Sequence, residues 1–219
     1  MKPVRRSIAG IAAAALSATG LTVLGVATAP SAHAAEVSVD DAVFRWGITK
    51  EAGSAGFAPG TWNLMSAGKI GDPGEGGVTL DPADEGATWS NEATAGWRNS
   101  EGNVTIEDLL ADDSYAPTTF LGTRQNADGV DGTTGNGIYG EIELVFVNGT
   151  GTADVAANTA SIQWDGDATV ISYSGMTFFY VSDPEMTVNA DGTGEVTATL
   201  GGFATSMDDT SVWEPLEDE

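Results

Sequence analysis

Between Ile138 and Phe203 the chain alternates apolar and polar residues in short runs broken by turn dipeptides, and no other feature limits the fold as tightly. Apolar side chains recur at every second position at Ile142, Leu144 and Phe146. The same period continues at Ile162 and Trp164, at Val170 and Ser172, at Met186 and Val188, and at Val196 and Ala198. A two-residue period puts one face of a strand in a core and the other in water. Asn148-Gly149, Asp165-Gly166, Ser174-Gly175 and Asp191-Gly192 stand between the runs, and such dipeptides tolerate the positive φ angles of tight reversals. Asp183-Pro184 suits a turn or a strand edge, because proline has no N–H for a ladder. The pattern predicts an antiparallel meander within an all-β, β-sandwich-like single domain carrying a few short helical turns.

The N-terminal segment has a different character. Lys2, Arg5 and Arg6 precede an apolar stretch from Ile8 to Val26, and Ala32-His33-Ala34 supplies the small residues a signal peptidase needs. Residues 1–34 are therefore expected to be a cleaved signal peptide and residues 35–219 an exported domain, extracellular or held at the cell surface. Cleavage removes the one histidine and three of the eight basic residues. Five basic residues then face 32 acidic ones, a formal charge of about −27. Such a surface repels phosphate backbones, which argues against nucleic acid as a partner. After residue 34 no apolar run approaches the roughly 20 residues of a spanning helix.

Residues 35–219 contain neither cysteine nor histidine. That removes disulfides, Ser-His and Cys-His nucleophile pairs and the usual zinc ligands, so no catalytic residue and no metal site is assigned. Asp165 with Asp167, Asp208 with Asp209, and Asp128 with Asp131 are oxygen donors near turns, but none follows the EF-hand spacing. A non-enzymatic binding module is the expected class.

Upstream, Ala42–Lys50 is expected as a first strand with Phe44, Trp46 and Ile48 facing the core. Trp62–Lys69 and Thr118–Arg124 read as strands, Asn103–Asp108 as a short alternating run, and Leu109–Ala116 as closing with a helical turn. The run Phe178-Phe179-Tyr180 must place neighbours on opposite faces, so either Phe179 or the pair Phe178 and Tyr180 leaves the main core. The outward member is expected either to form a platform for a flat ligand or to lie under the Gly71–Gly86 connection.

Two stretches carry a resemblance: FRWGITKE at Phe44–Glu51, and the run from Gly151 to Gly202. Trp46-Gly47, the turn at Tyr173–Gly175, Ser182-Asp183-Pro184 and the Asp191–Gly194 DGTG turn are its specific elements. Together they resemble the HtaA domain of actinobacterial surface and secreted proteins. The resemblance implies a β-sandwich-like domain and, in the best-known members, haem binding and delivery to an uptake system. Those members hold iron with a tyrosine soon after Trp-Gly and place a histidine after the strand-turn glycine. Here the two positions fall near Ala55 and at Met176. The donors left nearby are the Met176 thioether and the Tyr173 and Tyr180 phenols, with Phe179 as apolar surface. Haem is the partner so implied; the alternative expectation is a non-enzymatic structural or adhesive cell-envelope module that has lost haem binding and meets a cell-envelope protein.

Overall fold

The computed structural model describes residues 36–54, 62–132, 137–173, 175–206 and 208–219. The signal-peptide expectation for residues 1–34 and the ligand position near Ala55 lie outside these residues.

Eleven strands form among the described residues: β1 (Val37–Trp46), β2 (Leu64–Ala67), β3 (Ser100–Glu101), β4 (Val104–Leu109), β5 (Tyr115–Pro117), β6 (Glu143–Asp154), β7 (Thr159–Gln163), β8 (Asp167–Ser172), β9 (Thr177–Val188), β10 (Gly194–Thr205) and β11 (Trp213–Leu216). Helical structure there is confined to two 3-10 turns, Pro82–Asp84 and Gly122–Arg124. The chain is all-β, as the alternation predicts. Every strand pairing is antiparallel and belongs to one continuous sheet that curls towards a barrel.

β6 and β9 are the two long struts. β1 pairs along β6, and β10 pairs along β9. At one end β7 alone bridges the struts, pairing with both. At the other end they part: β6 continues into β4, while β9 continues into β8 and β2. The opening between β2 and β4 is laced by Ala67 N–H to the Arg98 carbonyl at 2.9 Å and Ile106 N–H to the Asn99 carbonyl at 2.8 Å.

A crease crosses the sheet where the struts change partners. Asp41 in β1, Asn148 in β6 and Asp183 in β9 adopt φ of 59°, 59° and 49°, and β10 shifts register between Thr197 and Thr199. Asn and Asp tolerate the left-handed region, and one such residue bulges a strand and re-aims it. Between β7 and β8 the break at Trp164–Gly166 meets the β9 bulge. Gly166 N–H donates to the Asp183 carboxylate at 2.8 Å, and Trp164 N–H donates to the Pro184 carbonyl at 2.9 Å. The Trp164 indole lies in the crease and donates from Nε1 to the Ala42 carbonyl at 2.9 Å. A Cβ on Gly149 would sit 2.2 Å from that nitrogen, so only glycine fits beneath the ring.

Asn148-Gly149 is thus a bend within β6, and Asp165-Gly166 a break between β7 and β8, both of which run along β9, rather than hairpin turns. The reversal after β6 is at 155–158 instead. Asp191-Gly192 does turn the chain, with Asn189 N–H reaching the Thr193 carbonyl at 2.8 Å. Two upstream expectations are corrected. Leu109–Ala116 closes a β4–β5 hairpin, where Asp112 accepts from the Ser114 backbone and hydroxyl. Thr118–Arg124 is a turn ending in the 3-10 segment Gly122–Arg124 rather than a strand, because Thr119 and Thr123 hydroxyls bond local backbone groups and compete with a ladder.

Two apolar clusters sit on opposite faces of the sheet. The inner one, inside the curl, holds Met65, Val104, Ile106, Leu144, Phe146, Trp164, Val170 and Val181. The outer one holds Leu64, Ile171 and Phe178 beneath the 70–97 connection, which contributes Ile70, Val78, Leu80 and Trp89. β2 and β8 are therefore buried on both faces, as is β9 around Phe178 and Val181.

Candidate functional site

The Phe178–Val181 alternation decides where the sequence-nominated residues go. Phe178 and Tyr180 enter the outer cluster, with ring centroids 5.3 Å apart, and so lie under the connection rather than forming a platform. The Tyr180 hydroxyl donates inward to the Ile70 carbonyl at 3.1 Å. Burial, helped by the charge of Asp72, pushes its phenol up to about 12. Met176 lays its sulfur over Gly76 and Gly77, 3.4 Å from where a Gly76 Cβ would be. Neither side chain meets Tyr173 and Phe179, which face a cavity of about 210 Å³ shared with Ile48, Ala52 and Leu64.

Tyr173 follows the end of β8 with φ 53° and is 38% exposed, not core. Its N–H donates to Asn63 Oδ1 at 2.7 Å, and its hydroxyl donates to Glu51 Oε2 at 3.3 Å. The Glu51 charge, with lesser contributions from burial and that hydrogen bond, raises the phenol above its ordinary range. An iron-held haem needs a lone pair turned into a slot wide enough for the macrocycle. Pockets that bury drug-sized ligands run to roughly 300–1,000 Å³. The Tyr173 cavity is smaller, its phenol is held neutral, and the Met176 and Tyr180 donors are spent elsewhere. Among the described residues, the donor set does not fit an iron-held haem.

A larger apolar cavity lies where the curled sheet stops short of closing. β1 and β10 line opposite walls of a groove of about 400 Å³, with Phe44, Trp46, Val181, Pro184, Val196 and Leu200 around it. Phe44 and Val181 belong to the inner cluster or its margin, so the groove is the open side of the core. Trp46 is 40% exposed there, and Val196 and Leu200 are each 48% exposed. The expectation that Trp46 faces the core is corrected: its side is right, but β1 is an edge strand and leaves the side chain exposed at the groove. Neither the outer edge of β1 nor that of β10 from Gly194 to Thr199 has a backbone partner among the described residues. Farther along, β11 covers β10 from Gly202 to Thr205, and Leu200 exchanges two hydrogen bonds with Glu219. This groove escaped the sequence reading because only the pairing order makes β1 and β10 the edges. Val196, Ala198 and Leu200 on β10, read with Trp46, were the available signal.

The electrostatic setting is one-sided. Arg45 is bound by Glu107 at 2.6 Å and Glu143 at 3.4 Å, Lys69 by Asp167 at 3.6 Å, and Arg124 by Asp131 at 3.2 Å. Arg98 pairs with Glu101, and Lys50 sits 5.6 Å from the Tyr139 ring centroid. All five basic residues after position 34 are thus engaged, while Glu36, Asp40 and Asp41 beside β1 and Glu185, Glu195 and Asp218 beside β10 are exposed.

Comparison with family models, with curated proteins and with solved structures finds no match to this chain. No helix among the described residues is long and apolar enough to cross a membrane. No group of three or more His, Cys, Asp or Glu among them is placed to hold a metal ion.

Proposed function

We propose that this chain is a non-enzymatic, exported binding module, HtaA-like in sequence, whose working site is the apolar groove between β1 and β10. The observation that carries this reading is the exposure of Trp46, Val196 and Leu200 around one cavity of about 400 Å³ that opens into the core. Contiguous exposed apolar surface on an otherwise charged domain marks a binding site more often than it survives by accident. In this reading the resemblance to HtaA domains reflects a shared framework, and iron ligation has been lost from it. An envelope protein or an apolar molecule takes the place of an iron-held haem.

The test is a titration of residues 35–219 with Nile red, a neutral apolar dye that the protein's negative charge does not repel. One saturable site whose occupancy shields Trp46 from acrylamide quenching is expected, and Leu200→Glu should weaken it about tenfold or more by placing a charge in the groove. Equal binding by the parent and Leu200→Glu would contradict the assignment.

A further inference from the structure

β10 runs against β9, β9 against β7, β7 against β6 and β6 against β1. Four reversals leave β1 and β10 pointing the same way on the two sides of the groove. One extended segment running against both could therefore pair antiparallel with either edge, or with both together. Its alternate side chains would rest on Phe44, Trp46, Val196 and Leu200, and the others would face outward beside Asp40, Asp41 and Glu195. Strand addition of this kind draws affinity from main-chain hydrogen bonds and specificity from alternate pockets.

Resting on the binding-module reading above, we infer that the groove accepts an extended strand from a partner protein, in which apolar residues alternate with lysine or arginine. Two features select this occupant. The floor of the groove is apolar, and its rims carry the exposed acids Asp40, Asp41 and Glu195 against one cation, Arg45, whose charge Glu107 and Glu143 already answer, so each face of the incoming strand has a defined chemistry. A second copy of this acidic chain would bring more negative charge to those rims, which disfavours self-association as the natural occupant. Unpaired edges with exposed apolar residues are also what natural sheets ordinarily protect. Among the described residues β1 and the Gly194–Thr199 part of β10 leave them uncovered, with acids that repel a like-charged strand and attract a basic one.

The experiment compares three capped peptides of about seven residues, long enough to span a typical strand. One alternates Lys and Val, one alternates Glu and Val, and one is the Lys–Val peptide N-methylated at alternate residues. Acrylamide quenching of Trp46 gives binding, and amide hydrogen exchange locates it. The Lys–Val peptide is expected to bind one-to-one, shield Trp46 and slow exchange between Gly194 and Thr199. The Glu–Val and N-methylated peptides should bind at least about tenfold more weakly. Glu195→Lys, an exposed substitution, should narrow the preference for the basic peptide. Equal binding of the basic and acidic peptides overturns the inference, as does basic-peptide binding that leaves exchange in β1 and β10 unchanged. A stable dimer that holds the groove against the peptide overturns it in favour of a second copy. Nile red entering the groove while every peptide is refused removes the strand and leaves the binding module standing; refusal of both removes both.

Discussion

Tyr180 and Tyr173 show how one residue type is put to two uses by position. Tyr180 seals the outer cluster by handing its hydroxyl to the Ile70 carbonyl. Tyr180→Phe leaves that carbonyl unpaired and is expected to cost about 1 kcal/mol in urea unfolding. The folded phenol ionises only at about 12, above the ordinary 10, so its contribution is complete below pH 10 and lost as pH rises towards 12. A stability difference between parent and Tyr180→Phe that shrinks across that window is the expected result; a constant difference would contradict the assignment. At the β9–β10 turn the sign reverses. Asp191 accepts from the Thr193 hydroxyl at 2.7 Å and from its N–H at 2.9 Å, and its carboxyl is held below the usual 3.8. Its support is present above the unfolded value and lost as pH falls through the folded one. Carbon-detected NMR titration should place Asp191 below 3.8 and return it upwards in Thr193→Val.

The strands themselves were largely legible, and their bends were not. β6 to β9 fall where the two-residue period puts them, because each buries at least part of one face, and β10 keeps the period although Val196 and Leu200 stay exposed over the groove. Asn148-Gly149 and Asp165-Gly166 were read as turns because a positive φ serves a bulge as well as a hairpin, and the local sequence does not say which. What separates them is tertiary: the indole of Trp164 over Gly149, and the Asp183 carboxylate on Gly166. Gly149→Ala should therefore cost about 1–3 kcal/mol through overpacking, more than a surface substitution of similar size. Urea denaturation with unchanged m-value would confirm a packing cost, and neutrality would mean the indole is free to move. The Tyr173 cavity was partly legible, since Tyr173 and Phe179 do share it. Met176 and Tyr180 were nominated with them but belong elsewhere, because strand parity and the 70–97 connection divide the four. The groove is hard to see from sequence, where only the apolar period at Val196, Ala198 and Leu200 and the Trp46 strand hint at it, because it lies between strands some 150 residues apart whose edge positions depend on every pairing between them.

On the scale of the whole molecule, the sheet curls around its inner core and stops short of closing, and the one basic residue beside that opening, Arg45, is already bound by Glu107 and Glu143. What remains is an apolar slot in an acidic surface, and the proposed binding role rests on it. The choice between this slot and the Tyr173 cavity is the centre of the account. A haemin titration of residues 35–219, followed in the Soret region and repeated with Tyr173→Phe and Leu200→Glu, tests it most directly. Any saturable shift is expected to survive Tyr173→Phe and to be lost in Leu200→Glu, because the Tyr173 cavity of about 210 Å³ is too small for the macrocycle and the groove of about 400 Å³ is the roomier of the two. A one-to-one shift abolished by Tyr173→Phe and untouched by Leu200→Glu would contradict it and restore an iron site at the phenol.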